Sequence, residues 1–197
     1  MRYILASKSP RRRDLMKLIS SDFLVAVEDI DEESSYKFSP IEAVKDIAKR
    51  KGEAVDKLYP NDLVISADTI VVLNNEIIGK PINKEDAKRI LKELSNQTHY
   101  VYTAYRVKYK DKEIINYVES EVIFNQLSDE LIARYIESGS PLDKAGAYGV
   151  QDNEQFPIIK KVIGSVDNVI GFPVEEIKLA VNEVIKWLLL FLFAKNK

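Results

Sequence analysis

The order of elements predicts an α/β fold with a mixed sheet flanked by helices. Three observations carry that expectation. Strand-like and helix-like segments alternate along the chain, and Leu63 to Leu73 form a long apolar run of strand character. The segments after Ser39-Pro40 and after Asn83 repeat apolar residues at helical spacing. With 197 residues, 46% of them apolar, the chain is long enough for one well-filled core or two small lobes. No repeat and no Gly/Ser/Pro-rich linker divides it, so residues 1–197 read as a single domain.

Taken in order, Tyr3 to Ala6 reads as a strand, followed by a polar loop and a helix from Pro10 to about Ile19. Residues 21–36 are acidic and irregular. Ser39 then supplies an N-cap hydroxyl, and Pro40 stands at the first position of the next helix. The strand 63–73 ends at Asn74-Asn75, a pair that tolerates positive φ and suits a hairpin return through Ile77-Ile78-Gly79. Asn83 caps a helix whose Ala87, Ile90, Leu91 and Leu94 share one face. Two long strands, 99–109 and 113–126, flank Lys110-Asp111-Lys112. Ser128 caps a short helix ending at Gly139, and a turn-rich segment, 140–155, leads to a strand near 156–163. The chain closes with a helix from about Val174.

Composition removes whole classes of chemistry. There is no cysteine and one histidine, His99, which excludes disulfides, thiolate metal sites, a cysteine nucleophile and a multi-histidine cage. What remains is carboxylate, lysine, arginine and hydroxyl chemistry, with any metal held by oxygen, a combination suited to phosphate and Mg²⁺ or Mn²⁺. With 29 basic against 31 acidic side chains, the basic excess of a nucleic-acid binder is missing. Met1-Arg2 runs straight into a strand, so no secretory leader is expected, and the apolar run 187–194 is too short to span a bilayer. A cytoplasmic protein without membrane or nucleic-acid partners is expected, with that run as a docked terminus or a homodimer contact.

Four places break the pattern. In Ser7-Lys8-Ser9-Pro10-Arg11-Arg12-Arg13, a strand passes into a helix start, a natural seat for an anion. Wheel arithmetic puts Arg11 and Arg12 on the side of Leu15, Met16, Leu18 and Ile19, and Arg13 away from it. Lys51 lies inside the apolar arc of Ile41, Val44, Ile47, Ala48, Ala54 and Val55, where an ammonium must snorkel or meet an anion. Asp68 interrupts the strand 63–73, so it needs a cation, a metal or strong hydrogen bonds; a structural salt bridge would suffice. A two-residue turn at Asn74-Asn75 would set Leu73 opposite Glu76 and Thr69 opposite Lys80, bringing Lys80 near Asp68. The fourth break, Pro141 to Gln151, combines Gly146 and Gly149 with small residues, as in a loop beside a ligand. His99 reads as structural, the tyrosines at 100, 102, 105 and 109 as strand packing, and Asp29, Asp31, Glu32 and Glu33 as a solvated acidic loop from which one member reaches a metal.

In this order the sequence resembles the Maf family of nucleoside triphosphate pyrophosphatases. The shared segments are Leu-Ala-Ser-Lys-Ser-Pro-Arg-Arg at 5–12, Ile-Asp-Glu at 30–32, Ala-Lys-Arg-Lys at 48–51, Ala-Asp-Thr at 67–69 and Gly-Lys-Pro at 79–81. Leu-Ser-Asn-Gln-Thr-His at 94–99, Asp-Lys-Ala-Gly-Ala-Tyr-Gly-Val-Gln at 143–151 and Gly-Ser-Val-Asp-Asn-Val-Ile-Gly-Phe-Pro at 164–173 complete them. The resemblance implies a two-lobed, Maf/ITPase-like fold on a mixed, curved sheet with the active-site cleft between lobes. It implies cleavage between the α and β phosphates, aided by Mg²⁺ or Mn²⁺. It casts Asp68 as general base or water activator, Glu32 as second acidic metal ligand, and Lys51 and Lys80 as catalytic cations. Ser7, Arg11, Arg12, Thr69, Lys144 and Gln151 fall to the substrate.

Thr69, Arg11 and Gln151 look like the branch acting on dTTP and UTP; the branch for 7-methyl-GTP carries glutamine in place of that threonine. Ala104 stands where glycine is common, and Asp-Asn-Glu-Gln at 152–155 replaces a glycine-rich stretch. That second departure bears on loop shape and base selectivity. Pyrophosphatase action on modified nucleotides and a non-catalytic, nucleotide-sensing role in cell division are the alternatives.

Overall fold

The structure is a computed structural model that describes residues 1–195, with side chains through 187. It is a mixed α/β fold. A 7-stranded sheet has the order β2-β1-β3-β5-β6-β7, with β4 paired to β3. The strands are β1 (Tyr3–Leu5), β2 (Leu24–Val25), β3 (Leu63–Leu73), β4 (Glu76–Ile78), β5 (Thr98–Tyr109), β6 (Lys112–Phe124) and β7 (Ile159–Ile163). The helices are α1 (Pro10–Met16), α2 (Pro40–Asp56), α3 (Lys84–Leu94), α4 (Asp129–Glu137), α5 (Val166–Ile170) and α6 (Val174–Lys195).

The chain forms two compact units. The first comprises Met1–Asp68, Ala104–Tyr117 and Gly171–Lys197, the second Thr69–Thr103 and Val118–Ile170. In the first unit β1 pairs in parallel with both β2 and β3, Ile4 lying between Leu24 and Val64. Its core includes Ile4, Leu5, Met16, Val44, Ile47, Val64 and Ile65, all fully buried. In the second unit α3 and α4 lay Ile90, Leu91, Leu94, Ile132 and Tyr135 onto a cluster with Val101, Val122 and Phe124. Both N-caps hold: Asn83 Oδ1 accepts the Asp86 N–H at 2.8 Å, and Ser128 Oγ accepts that of Leu131 at 3.2 Å.

The hairpin register is as the sequence predicts, but it stops early. Asn74 and Asn75 have φ of 51° and 67°, and Leu73 pairs with Glu76 and Val71 with Ile78. The ladder stops at Ile78, and beyond it the Gly79 carbonyl accepts the Gly146 N–H at 3.0 Å, so the pairing of Thr69 with Lys80 does not form. The first helix is also shorter than predicted. It ends at Met16, Leu18 and Ile19 sit in tight turns beyond it, and Leu18 is 59% exposed. The face assignment of the arginines survives, with Arg11 and Arg12 half-buried and Arg13 exposed. Two short elements escape the sequence reading, β2 within the acidic stretch and α5 before Gly171. Among the described residues no helix is long and apolar enough to cross a membrane. The side chains of the run 188–194, and with them the expected terminal dock or dimer contact, lie outside the described residues.

Candidate active site

In the first unit, one ammonium gathers two carboxylates. Lys51 Nζ lies 2.8 Å from Glu32 Oε1 and 2.7 Å from Asp68 Oδ1. Lys51 is on the apolar arc of α2 and Asp68 is on buried β3, so each answers the other's need for a counter-charge. Glu32 comes from the loop before a short 3-10 turn at Glu33–Ser35, which Ser35 Oγ ties to Asp46 of α2 at 2.7 Å.

Arg12 is built into the same unit. Its Nη1 donates to the Ala67 carbonyl at 2.7 Å, directly before Asp68, and its Nε to the Gly171 carbonyl at 2.8 Å. Burial lowers its pKa from the ordinary value, opposed by the charges of Asp68 and Glu32. Ser7 Oγ accepts the Ser9 N–H at 3.2 Å, and Ser9 Oγ accepts that of Arg12 at 3.4 Å. These amides at the helix start, which the sequence offered to an anion, are already engaged by hydroxyls. Lys8 is drawn off to Asp29 at 2.8 Å on the surface.

Sequence reasoning missed several supports. Burial raises the Tyr36 phenol pKa, and the charges of Asp68, Glu32 and Glu33 add to the shift, which places this tyrosine in the field of both carboxylates. A seam locks α2 against the sheet: Ser66 Oγ donates to the Ala48 carbonyl at 2.6 Å, and a Cβ on Gly52 would stand 2.5 Å from Arg106 Nη1 and 2.7 Å from Ser66 Oγ. A mid-helix glycine costs about 1 kcal/mol against alanine, so Gly52 beside Lys51 was a readable sign of close approach.

In the second unit, Thr69 and Thr103 join through their hydroxyls at 2.9 Å. Thr103 Oγ1 gives its one hydrogen to the Asn168 carbonyl at 2.8 Å, so Thr69 donates to Thr103. Asn168, fully buried, accepts from the Thr103 N–H and donates to Ser120 Oγ and the Val101 carbonyl. Lys80 and Gln151 are exposed. Lys144 is not: its ammonium donates to the Ser140 carbonyl, to Ser140 Oγ at 2.9 Å and to Asp143 at 2.8 Å, all within its own loop. Gly146 has φ of 71°, whereas Gly149 is extended and serves by leaving room for the Gln151 amide and the Lys144 stem.

His99 is fully buried, its Nε2 2.7 Å from Tyr148 Oη, and its ring meets Phe124 edge-on at 4.9 Å. Burial depresses its pKa from 6.5 to about 4. The unfolded chain therefore takes up a proton that the folded one refuses, and stability falls as pH drops from about 6.5 towards 4. Between pH 7 and 5 the protein is expected to lose about 2 kcal/mol more stability than His99→Gln does. Urea unfolding of both at each pH measures this, and equal losses would contradict it.

The open mixed sheet with flanking helices is the fold of Ham1 proteins. The Staphylococcus aureus Ham1 protein superposes with a TM-score of 0.54 at 16% identity, covering 93% of this chain and 99% of that one. A HAM1 protein from Coxiella burnetii gives 0.52 at 13% identity, with the same coverage. Family follows from sequence: the chain belongs to the Maf-like protein family, which matches residues 2–184. It is 41% identical to the dTTP/UTP pyrophosphatase of Dictyoglomus thermophilum over 184 residues, 92% of this chain and 95% of that one. It is 42% identical to the dTTP/UTP pyrophosphatase of Symbiobacterium thermophilum over 170 residues, 86% of this chain and 87% of that one.

Proposed function

We propose that this protein hydrolyses dTTP and UTP to the nucleoside monophosphate and pyrophosphate. The observation that carries the reading is the grip of Lys51 on Glu32 and Asp68, with Arg12 pinned to the residue before Asp68. Water attacks the α phosphorus, a new P–O bond forms, and the bond to the bridging oxygen breaks to release pyrophosphate. Asp68 takes the proton of that water at Oδ2, since Oδ1 is held by Lys51. Lys51 and Arg12 answer charge on the phosphates, and Arg12 does so from a fixed pose. Lys80, Thr69, Arg11, Ser7, Lys144 and Gln151 are assigned to the substrate by family resemblance; for Lys144 the bonds within its loop favour a role in holding that loop.

A divalent cation fits the donor set. Among the described residues no group of three or more His, Cys, Asp or Glu gathers, but Glu32 and Asp68 supply a pair of hard oxygen ligands that already converge on one positive charge. Mg²⁺ is commonly held by one or two carboxylates together with substrate phosphates. When bound, Mg²⁺ or Mn²⁺ would neutralise phosphate charge and acidify water.

A panel of dTTP, UTP, CTP, ATP and 7-methyl-GTP, with separate detection of pyrophosphate and orthophosphate and with and without Mg²⁺, tests this. Pyrophosphate is expected as the first product, with dTTP and UTP turned over fastest. Orthophosphate alone would mean another phosphatase chemistry, and binding without turnover would mean a nucleotide sensor.

A further inference from the structure

The segment carrying Gln151 is held chiefly by Tyr135, Ser140 and Asn153, to which no role in the reaction has been given. Tyr135 of α4 is fully buried, and its hydroxyl serves both flanks of Gln151: it accepts the Gly149 N–H at 3.0 Å and donates to Asp152 Oδ2 at 2.6 Å. Burial and the bond to Asp152 hold the phenol well above its ordinary pKa, so it keeps the hydrogen it donates. The same Asp152 oxygen accepts from Ser140 Oγ at 2.7 Å, and the Lys144 ammonium, bonded to that serine, stands 4.0 Å away. Beyond Asp152, Asn153 Oδ1 accepts the Ile159 N–H at 2.6 Å and its Nδ2 donates to the Ile159 carbonyl at 3.0 Å. Gln151 is thus an exposed side chain between anchored neighbours, in a stretch where the family pattern has glycine.

We propose that Asp152, clamped by Tyr135 and Ser140, is a positioning residue that fixes Gln151 for recognition of the nucleobase. The proposal rests on the reading that Gln151 contacts the substrate. Glycine at 152 leaves the backbone free to choose among conformers, and a side chain bonded on two sides removes that freedom. A pyrimidine is then met by an amide already in place, and the advantage appears in KM for UTP and dTTP.

The test is the ratio of kcat/KM for UTP to that for CTP. Tyr135→Phe removes only the hydroxyl, and Asp152→Gly removes the hub. Each is expected to lower the ratio about tenfold, the scale of a lost charge-assisted hydrogen bond, through KM with kcat nearly unchanged. Gln151→Ala is expected to lower it as much, and adding Asp152→Gly to that variant to lower it no further. Should Asp152→Gly fail to fold, Asp152→Asn takes its place. An unchanged ratio in folded Tyr135→Phe and Asp152 variants, with Gln151→Ala impaired, overturns the positioning role and leaves the substrate reading intact. An unchanged ratio in Gln151→Ala overturns the reading itself.

Discussion

Asp68→Asn is expected to lower turnover of dTTP roughly 10²–10⁴-fold, the range for loss of a general base, with little loss of fold. Asparagine has nearly the same volume and its amide oxygen still accepts from Lys51, so the 2.7 Å contact between α2 and β3 has a neutral replacement. What disappears is the ability to take a proton and the second negative charge beside Glu32. The check is kcat from pyrophosphate release, alongside a thermal melt. Near-normal turnover would remove Asp68 from the mechanism, and loss of the folded state would show its pairing with Lys51 to be mainly structural.

Arg106→Ala is expected to have the largest effect on stability, about 3–5 kcal/mol, the cost of breaking a buried ion pair. The Arg106 side chain is 1% exposed; Nη2 bonds Asp56 at 2.5 Å and Nε bonds Glu113 at 2.6 Å. Burial alone would lower its pKa, but the bonds and charges of Asp56 and Glu113 more than offset that and leave it raised. Its third arm, Nη1, is buried against Gly52 without a hydrogen-bond partner. Removing the guanidinium strands Asp56 with Lys108 alone and opens a void under the helix that carries Lys51. Denaturant unfolding measures the loss, equivalent to roughly 6–20 °C in Tm for a chain of this size. A loss below about 1 kcal/mol, the range of surface ion pairs, would show the seam to be dispensable.

Much of this was legible because polar residues on apolar faces are costly and therefore meaningful. Lys51 and Asp68 stood out for that reason, and they turn out to be each other's partners. The strand 63–73 and its Asn-Asn turn were readable from period and φ tolerance alone. What escaped depends on contacts distant in sequence. Nothing local marks Gly171 as the acceptor for Arg12, 159 positions away, or Tyr135 as the post for Gly149 and Asp152. The extent of the hairpin was misjudged because register arithmetic gives pairing partners but not where pairing stops; the ladder ends at Ile78. His99 was recognised as structural, but its buried bond to Tyr148 has no sequence signal beyond the residue being alone.

The edges of the sheet carry a consequence for behaviour at high concentration. An open sheet invites another chain to add a strand wherever a long edge shows unpaired amides and carbonyls. Here β2 ends after Leu24 and Val25, too short to template a partner. The strand β7 exposes Lys160 and Lys161 side by side, so a second copy laid against it would bring like charges together. Short edges at β2 and β4 and paired lysines on β7 thus work against strand addition from a second copy, at no expense to the buried strand that carries Asp68.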